Sequence, residues 1–447
     1  MSQMKRTSKN IITFLVLSLI TPTLIWAQNN ETDFQEGDSL SLEWIIQQVV
    51  TTHPMVKSAQ EDLNKADARI GLAKSGYYPN VAFSANANTV GPVPSLTIPD
   101  MGTFHFMPRN NYNATVSVQQ NIYDFGKTDR NVALADESKK LTETSVEQVK
   151  QSLSIRSIQV YYTLEYLQEA IKIKEEQLRT LNEHLDFVLK RKETGSATDF
   201  EVLSTKVKIS AIESQRLDLE VSREVQLSEL NALLGLPAET PHVVKESIKV
   251  VQTGVPNDSM LVYAYRNRNE MLIAKEKEQL AGMKVEQVKL QNNPSLFFTA
   301  NGGARNGYVP ETQKIKANYV VGLGVNIPIF DATRKKYNIL QASSEAESTL
   351  LETEITRRNI SSDVVESETR LRTANKKIAQ ASLQLEQAEE ALQLAEVSYE
   401  AGVITNLDLL DANTAVSESR LLLLKSRIDY VVNVYRLSAS LGEKLYQ

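Results

Sequence analysis

The 447-residue chain contains no cysteine. That excludes disulfides, thiolate metal sites and a lipid carried on an N-terminal cysteine. Histidine is scarce as well. The four present, His53, His105, His184 and His242, do not stand at metal-ligand spacing from one another or from an acid. His53, just before Pro54, is expected to be a turn residue, and His184 a surface residue of a long helix. No nucleophile motif, phosphate loop or dinucleotide fingerprint occurs. The expectation is therefore a protein that is not an enzyme, with no cofactor and no metal. No basic patch stands out, so no nucleic-acid partner is expected. Beyond residue 27, no apolar run is long enough for a transmembrane helix. Any membrane contact must then be made by strands.

What is present begins with an export signal. Lys5, Arg6 and Lys9 precede an apolar run from Ile11 to Ile20, and "LIWAQ" follows. Cleavage is expected after Ala27, which removes three cations and no acid and takes the net charge from −6 to −9. The remainder repeats itself. "LNALLG" (230–235) matches "LSASLG" (437–442), and "TGSATDFEVL" (194–203) matches "AGVITNLDLL" (401–410), both at an offset of 207. "NIYDFGKT" (121–128) matches "NIPIFDAT" (326–333) at 205, and "YYPNVAF" (77–83) matches "NNPSLFF" (292–298) at 215. Two units are expected, 28–236 and 259–447, joined by a linker at 237–258. The first carries about ten extra residues between its strands, within "GPVPSLTIPDMGTFHFMPRN" (91–110).

Each unit reads helix, strand, loop, strand, long helix, turn, helix. Strands are expected at about 80–90, 112–123, 295–303 and 318–329. They alternate with period 2 over about ten residues, the length a tilted strand needs to cross a bilayer. Val81, Phe83, Ala85 and Ala87 fall on one face, and Ser84, Asn86 and Asn88 on the other. Tyr319, Val321, Leu323, Val325 and Ile327 oppose Asn318, Gly322, Gly324 and Asn326. Asn86, Asn113, Asn301 and Asn318 are the candidates for a wet, lumen-facing surface. An ordinary soluble sheet is disfavoured, because the polar faces are Asn, Ser, Thr and Gly with hardly a charge.

The stretches from Lys127 to Lys192 and from Ala332 to Ala401 lack proline and internal glycine. As helices each would be about 100 Å long, within hairpins expected at 127–234 and 332–441. Their apolar residues step by threes and fours: Val160, Leu164, Leu167, Ile171, Leu178, Leu181, Leu185 and Val188 in the first, with Lys174 interrupting. Ile378, Ala381, Leu385, Ala388, Leu392, Ala395 and Tyr399 repeat the rhythm in the second, which is a coiled-coil seam. Gly195 and Gly402 stop the helices as left-handed caps. Thr198 with Glu201, and Thr405 with Asp408, restart them as capping boxes. Asp411 aligns with Ser204 and lies past the first turn, where capping has no use for it.

Four strands cannot close a barrel, and open edges are not tolerated in lipid. Several chains must share one barrel, and twelve strands from three chains is the natural solution. The alternative of a non-transporting periplasmic coiled-coil or adhesin-like stalk leaves the repeated strand pairs unexplained. The tandem repeat, "NIYDFG", "NIPIFD" and above all "SYEAGVITNLDLLDA" resemble the TolC-type outer membrane efflux proteins. The resemblance spans essentially the whole mature chain. It implies a mainly α fold with a membrane β-barrel, in which a homotrimer forms a twelve-stranded barrel on an α-helical barrel. It also implies an outer membrane location with a periplasmic extension, contact with outer membrane lipid, a periplasmic adaptor (membrane fusion) protein, and an inner-membrane pump of RND or ABC type. By this resemblance Asp408 and Asp411 ring the pore entrance and set its selectivity. Tyr399 belongs to a closed-tip network, and the turns at Gly195 and Gly402 dock the adaptor. The family's tip arginine is replaced here by Ile404, with Arg191 or Lys192 as candidates to stand in.

Overall fold

The computed structural model describes residues 39–245 and 259–446. The expected signal peptide, 1–27, and the later part of the expected linker lie outside the described residues. The first repeat runs β1 (Ser39–Leu40), α1 (Leu42–Thr52), α2 (Pro54–Lys74), β2 (Asn80–Thr89), β3 (Ser95–Ile98), β4 (Gly102–His105), β5 (Asn110–Tyr123), α3 (Lys127–Glu193) and α4 (Asp199–Leu234). After β6 (Val243–Val244), the second runs α5 (Met260–Asn267), α6 (Asn269–Leu290), β7 (Ser295–Arg305), β8 (Lys316–Asn326), α7 (Arg334–Glu400) and α8 (Asn406–Leu441).

The duplication is faithful in length. α3 and α7 have 67 residues each, and α4 and α8 have 36 each. At 1.5 Å per residue each long helix spans about 100 Å. Asp124 begins α3 by accepting from the amides of Gly126, Lys127 and Thr128 at 2.9–3.1 Å. Asp331 begins α7 by accepting from the Lys335 amide at 2.9 Å. In both places two left-handed residues follow the aspartate, Phe125–Gly126 and Ala332–Thr333. The junctions thus correspond at an offset of 207, the offset of the tips, and not at the 205 that the lettering of "NIYDFG" and "NIPIFD" indicates. The difference is taken up where β8 ends. It stops at Asn326 rather than 329, and Pro328 beyond it has no amide to donate to a ladder.

One antiparallel sheet has the order β2-β5-β7-β8, so the two repeats meet at β5–β7. Asn113 and Arg305 pair across that junction, as do Ser117 and Asn301. Directly paired residues point to the same face. The register Asn86↔Asn113, Ser117↔Asn301 and Gly303↔Asn318 therefore puts Asn86, Asn113, Asn301 and Asn318 on one face of the sheet. Val81↔Val118↔Ala300↔Val321 and Phe83↔Val116↔Gly302↔Tyr319 run across the other. That apolar face is open: Phe83 is 70%, Leu323 71% and Tyr319 82% exposed. Among the described residues, β2 and β8 are both free edges. Among the described residues no helix is long and apolar enough to cross a membrane. The residues inserted between β2 and β5, expected as a loop, form the small hairpin β3–β4, with Leu96 opposite Phe104.

The largest core lies at the waist. Ile45 and Val49 of α1 pack against Tyr161, Tyr162 and Leu164 of α3, Leu230 and Leu233 of α4, and Val431 of α8. Each fully buried Leu or Ile there contributes about 1.5–3 kcal/mol. The pair β1–β6 closes over this core in parallel, Leu40 opposite Val244. The chain's end is clamped by Glu147, which takes Lys444 and the Tyr446 hydroxyl at 2.8 Å each.

Candidate functional site at the helical tips

The two hairpin turns have one backbone design. At the first, the Gly195 amide donates to Lys192 at 2.9 Å and the Ser196 amide to Arg191 at 2.8 Å. At the second, the Gly402 amide donates to Tyr399 at 3.0 Å and the Val403 amide to Ser398 at 2.9 Å. This is the Schellman arrangement, and it needs the left-handed residue that Gly195 (φ 77°) and Gly402 (φ 73°) supply. Both following helices open with the expected capping box. The Glu201 amide donates to the Thr198 hydroxyl at 3.2 Å, and the Asp408 amide to the Thr405 hydroxyl at 3.3 Å. The reciprocal bonds, from the Thr198 amide to Glu201 and the Thr405 amide to Asp408, are 3.2 and 2.9 Å.

Side chains then separate the tips. The Asp408 carboxylate caps its own helix: one oxygen takes both the hydroxyl and the amide of Thr405, and these neutral donors hold its pKa below the ordinary aspartate value. Glu201, one methylene longer, caps with one oxygen and accepts from the Tyr399 hydroxyl at 2.9 Å with the other. That bond ties the second hairpin to the first. Burial of the phenol, then its bond to Glu201, pushes the Tyr399 pKa up to about 12.

Asn406 makes the second tie. It is buried, and the two N–H groups of its amide are shared among the Glu201 carbonyl at 3.3 Å, the Ser204 hydroxyl at 3.2 Å and the Thr205 hydroxyl at 3.1 Å. Its oxygen is thereby the acceptor for His184 Nε2 at 2.7 Å, which fixes that ring nitrogen as protonated. His184, expected at the surface, is a half-buried member of the cluster, 5.5 Å edge-on to the Tyr399 ring. The Arg191 guanidinium lies 5.2 Å from the same ring, a cation–π contact. Lys192, the other candidate for the missing arginine, pairs with Asp199 on its own hairpin.

Asp411, which capping could not explain, lies 3.4 Å from Lys208 of α4 with its side chain 65% exposed. Lower in the bundle, Leu181 of α3, Ile209 and Ile212 of α4, and Leu410 of α8 form a small core that joins the hairpins. Lys174, which interrupts the seam, is buried beside it, bonded to Gln177 at 3.1 Å and Ser417 at 3.4 Å. Burial lowers its pKa. The glycines, Tyr399, Asp408 and Asp411 are brought to one end, whereas the four asparagines sit on the sheet. The cross-hairpin roles of Glu201, Asn406 and His184 had only a partial signal. The capping box flagged Glu201, and nothing flagged the other two. Among the described residues no group of three or more His, Cys, Asp and Glu could hold a metal ion.

Comparisons with known proteins agree with this geometry. The family described as "Outer membrane efflux protein" matches residues 45–236 and 261–443. Nodulation protein T of Rhizobium leguminosarum bv. viciae is 24% identical over 376 residues, covering 82% of this chain and 74% of its own. Alkaline protease secretion protein AprF of Pseudomonas aeruginosa is 22% identical over 335 residues, covering 73% and 69%. The solved outer membrane protein VceC of Vibrio cholerae superposes with a TM-score of 0.76 at 18% identity, over 91% of this chain and 97% of that one.

Proposed function

This chain belongs to the outer membrane efflux protein family and is an outer membrane channel with a periplasmic extension, and we propose that it works as a homotrimeric exit duct opened at its helical tips. The observation that carries the trimer is the open four-stranded sheet, with an exposed apolar face and free edges at β2 and β8. Lipid can cover the apolar face but cannot satisfy the edges. Three copies give twelve strands, within the range of closed membrane barrels. Asn86, Asn113, Asn301 and Asn318 then line the water-filled lumen, opposite the lipid face.

Transport through such a duct is passive. Energy comes from an inner-membrane pump, of RND or ABC type, reached through a periplasmic adaptor that docks at the turns around Gly195 and Gly402. Related channels serve both efflux and secretion, as the name of AprF indicates for that protein. The entrance is held shut by ties between the hairpins, Tyr399 to Glu201 and Asn406 to His184 and Thr205. Asp408 and Asp411 from three copies form a negative ring around the axis, and rings of carboxylates select cations. Lys208 lies beside Asp411, so Asp408 carries the larger share of unpaired charge.

Purified protein in a planar bilayer tests this reading. Stepwise, cation-selective conductance is expected, with chemical cross-linking stopping at three chains. No stepwise conductance at any voltage, or cross-linking that stops at one or two chains, overturns it.

A further inference from the structure

Beside the ties at the tips lies a cavity of about 230 Å³ that they do not fill. It is walled by α3, α7 and α8, so it spans both hairpins. Leu181, Leu392 and Leu410 make its apolar walls, and the rings of His184, Phe187 and Tyr399 make an aromatic side. The exposed carboxylates of Glu396 and Glu400 stand at its rim. Asn413 lines it too, and the Asn413 side-chain oxygen is buried with no hydrogen-bond partner among the described residues. A buried acceptor without a donor calls for a missing group. An apolar, aromatic hollow with few polar groups is the usual form of a small-molecule site.

The polar features agree in sign. Two carboxylates at the mouth favour a positive ligand, and Asn413 wants an N–H. Arg191 is the opposing charge, but its guanidinium already lies over the Phe187 and Tyr399 rings, at 5.8 and 5.2 Å. We propose that this cavity binds small cationic amphiphiles: flat apolar bodies of two or three rings that carry a protonated amine. The rings lie against the leucines and aromatic edges, and the amine meets the glutamates and Asn413. Because α3 belongs to the first hairpin and α7 and α8 to the second, an occupant braces one against the other where the ties hold.

The test uses the purified full-length protein in detergent and two fluorescent probes of like size and opposite charge. These are 9-aminoacridine, a cation with N–H donors, and 9-anthracenecarboxylate, an anion. Polarisation titration is expected to show saturable binding of the cation, at up to one per chain, and at least tenfold weaker binding of the anion. The double variant E396Q/E400Q weakens the cation about tenfold, and N413L several-fold. Thr180 is exposed on the cavity wall, so T180W fills the space from the surface without entering a core and abolishes binding. Equal affinity for the two probes, or unchanged cation binding by T180W and E396Q/E400Q together, overturns the proposal. Binding is read without any conductance, so failure of the channel reading leaves this result standing on its own.

Discussion

The first and second hairpin tips share a backbone and differ in what their side chains reach. Both turn through a left-handed glycine, both restart on a threonine capping box, and their residues correspond at an offset of 207. Yet the last turn of α3 carries Lys190, Arg191 and Lys192 ahead of Glu193, whereas the last turn of α7 has no basic residue and puts Tyr399 ahead of Glu400. At the first restart stands Asp199, exposed and paired with Lys192; at the second stands Asn406, buried and bonded to α3 and α4. Capping chemistry needs only a few residue types at fixed positions, so it survives duplication unchanged. The positions around it were free to become complementary. The tips now hold each other, the first supplying the carboxylate and the cation, the second the phenol and the amide.

Variants at equivalent positions can break that comparison. Asn406→Leu has the largest expected effect. It strips partners from Thr205, Ser204, His184 and the Glu201 carbonyl, at a cost of about 3 kcal/mol. The matching change, Asp199→Leu, removes one surface ion pair and costs less than about 1 kcal/mol. Hydrogen exchange at the tips reads both, and equal deprotection by the two would end the claimed asymmetry. Gly195→Ala and Gly402→Ala come next. Each forces a Cβ into left-handed backbone, at about 1–2 kcal/mol. Among the described residues neither added Cβ would meet another atom within 4 Å, so the two costs should agree. Unequal exchange rates at the two turns would show that the backbones are not equivalent.

A pH titration sharpens the difference between the carboxylates and the phenol. Tyr399 has its folded pKa raised from 10.0 to about 12, so its tie is fully present below pH 10 and is lost as pH rises towards 12. Asp408 has a lowered pKa, so its cap is intact above the ordinary aspartate value and fails only as pH falls through its depressed one. Hydrogen exchange at the tips, followed against pH, should show the link between hairpins loosening at the alkaline end and the cap of the second turn loosening at the acid end. The smallest effect on stability belongs to Asp411→Ala, at most about 0.5 kcal/mol for an exposed pair. Its reversal potential in a salt gradient should still shift towards weaker cation selectivity, less than that of Asp408→Ala.

Repetition made most of the fold legible in the sequence. Long runs without proline, paired capping boxes and period-2 strands each appear twice, so either copy checks the other. The helix bounds and three of the four strands follow that reading closely. β8 was expected to reach about 329, with Ile327 still on its apolar face, but ladder donors decide where a strand ends, and Pro328 has none. The β3–β4 hairpin had no twin to reveal it. At the tips the glycines and caps were legible because they act within four residues of themselves. The contacts of Asn406, His184 and Lys208 lie some 200 residues away along the chain, and no local pattern announces such partners. Lys174 looked like a break in the seam for the same reason, since Ser417, its partner in the other repeat, is invisible from its neighbours.

We propose that ties between unlike tips hold this outer membrane channel shut. Single-channel recording of the wild-type protein beside Tyr399→Phe tests it most directly. The phenylalanine keeps the ring that stacks under Arg191 and removes only the hydroxyl that reaches Glu201. A bond to a carboxylate contributes about 1.5 kcal/mol, so the open-to-closed ratio should rise about tenfold. Mean current should rise with it, and ion selectivity should be kept. Identical current traces for the two proteins would show that the Tyr399–Glu201 tie does not hold the entrance shut.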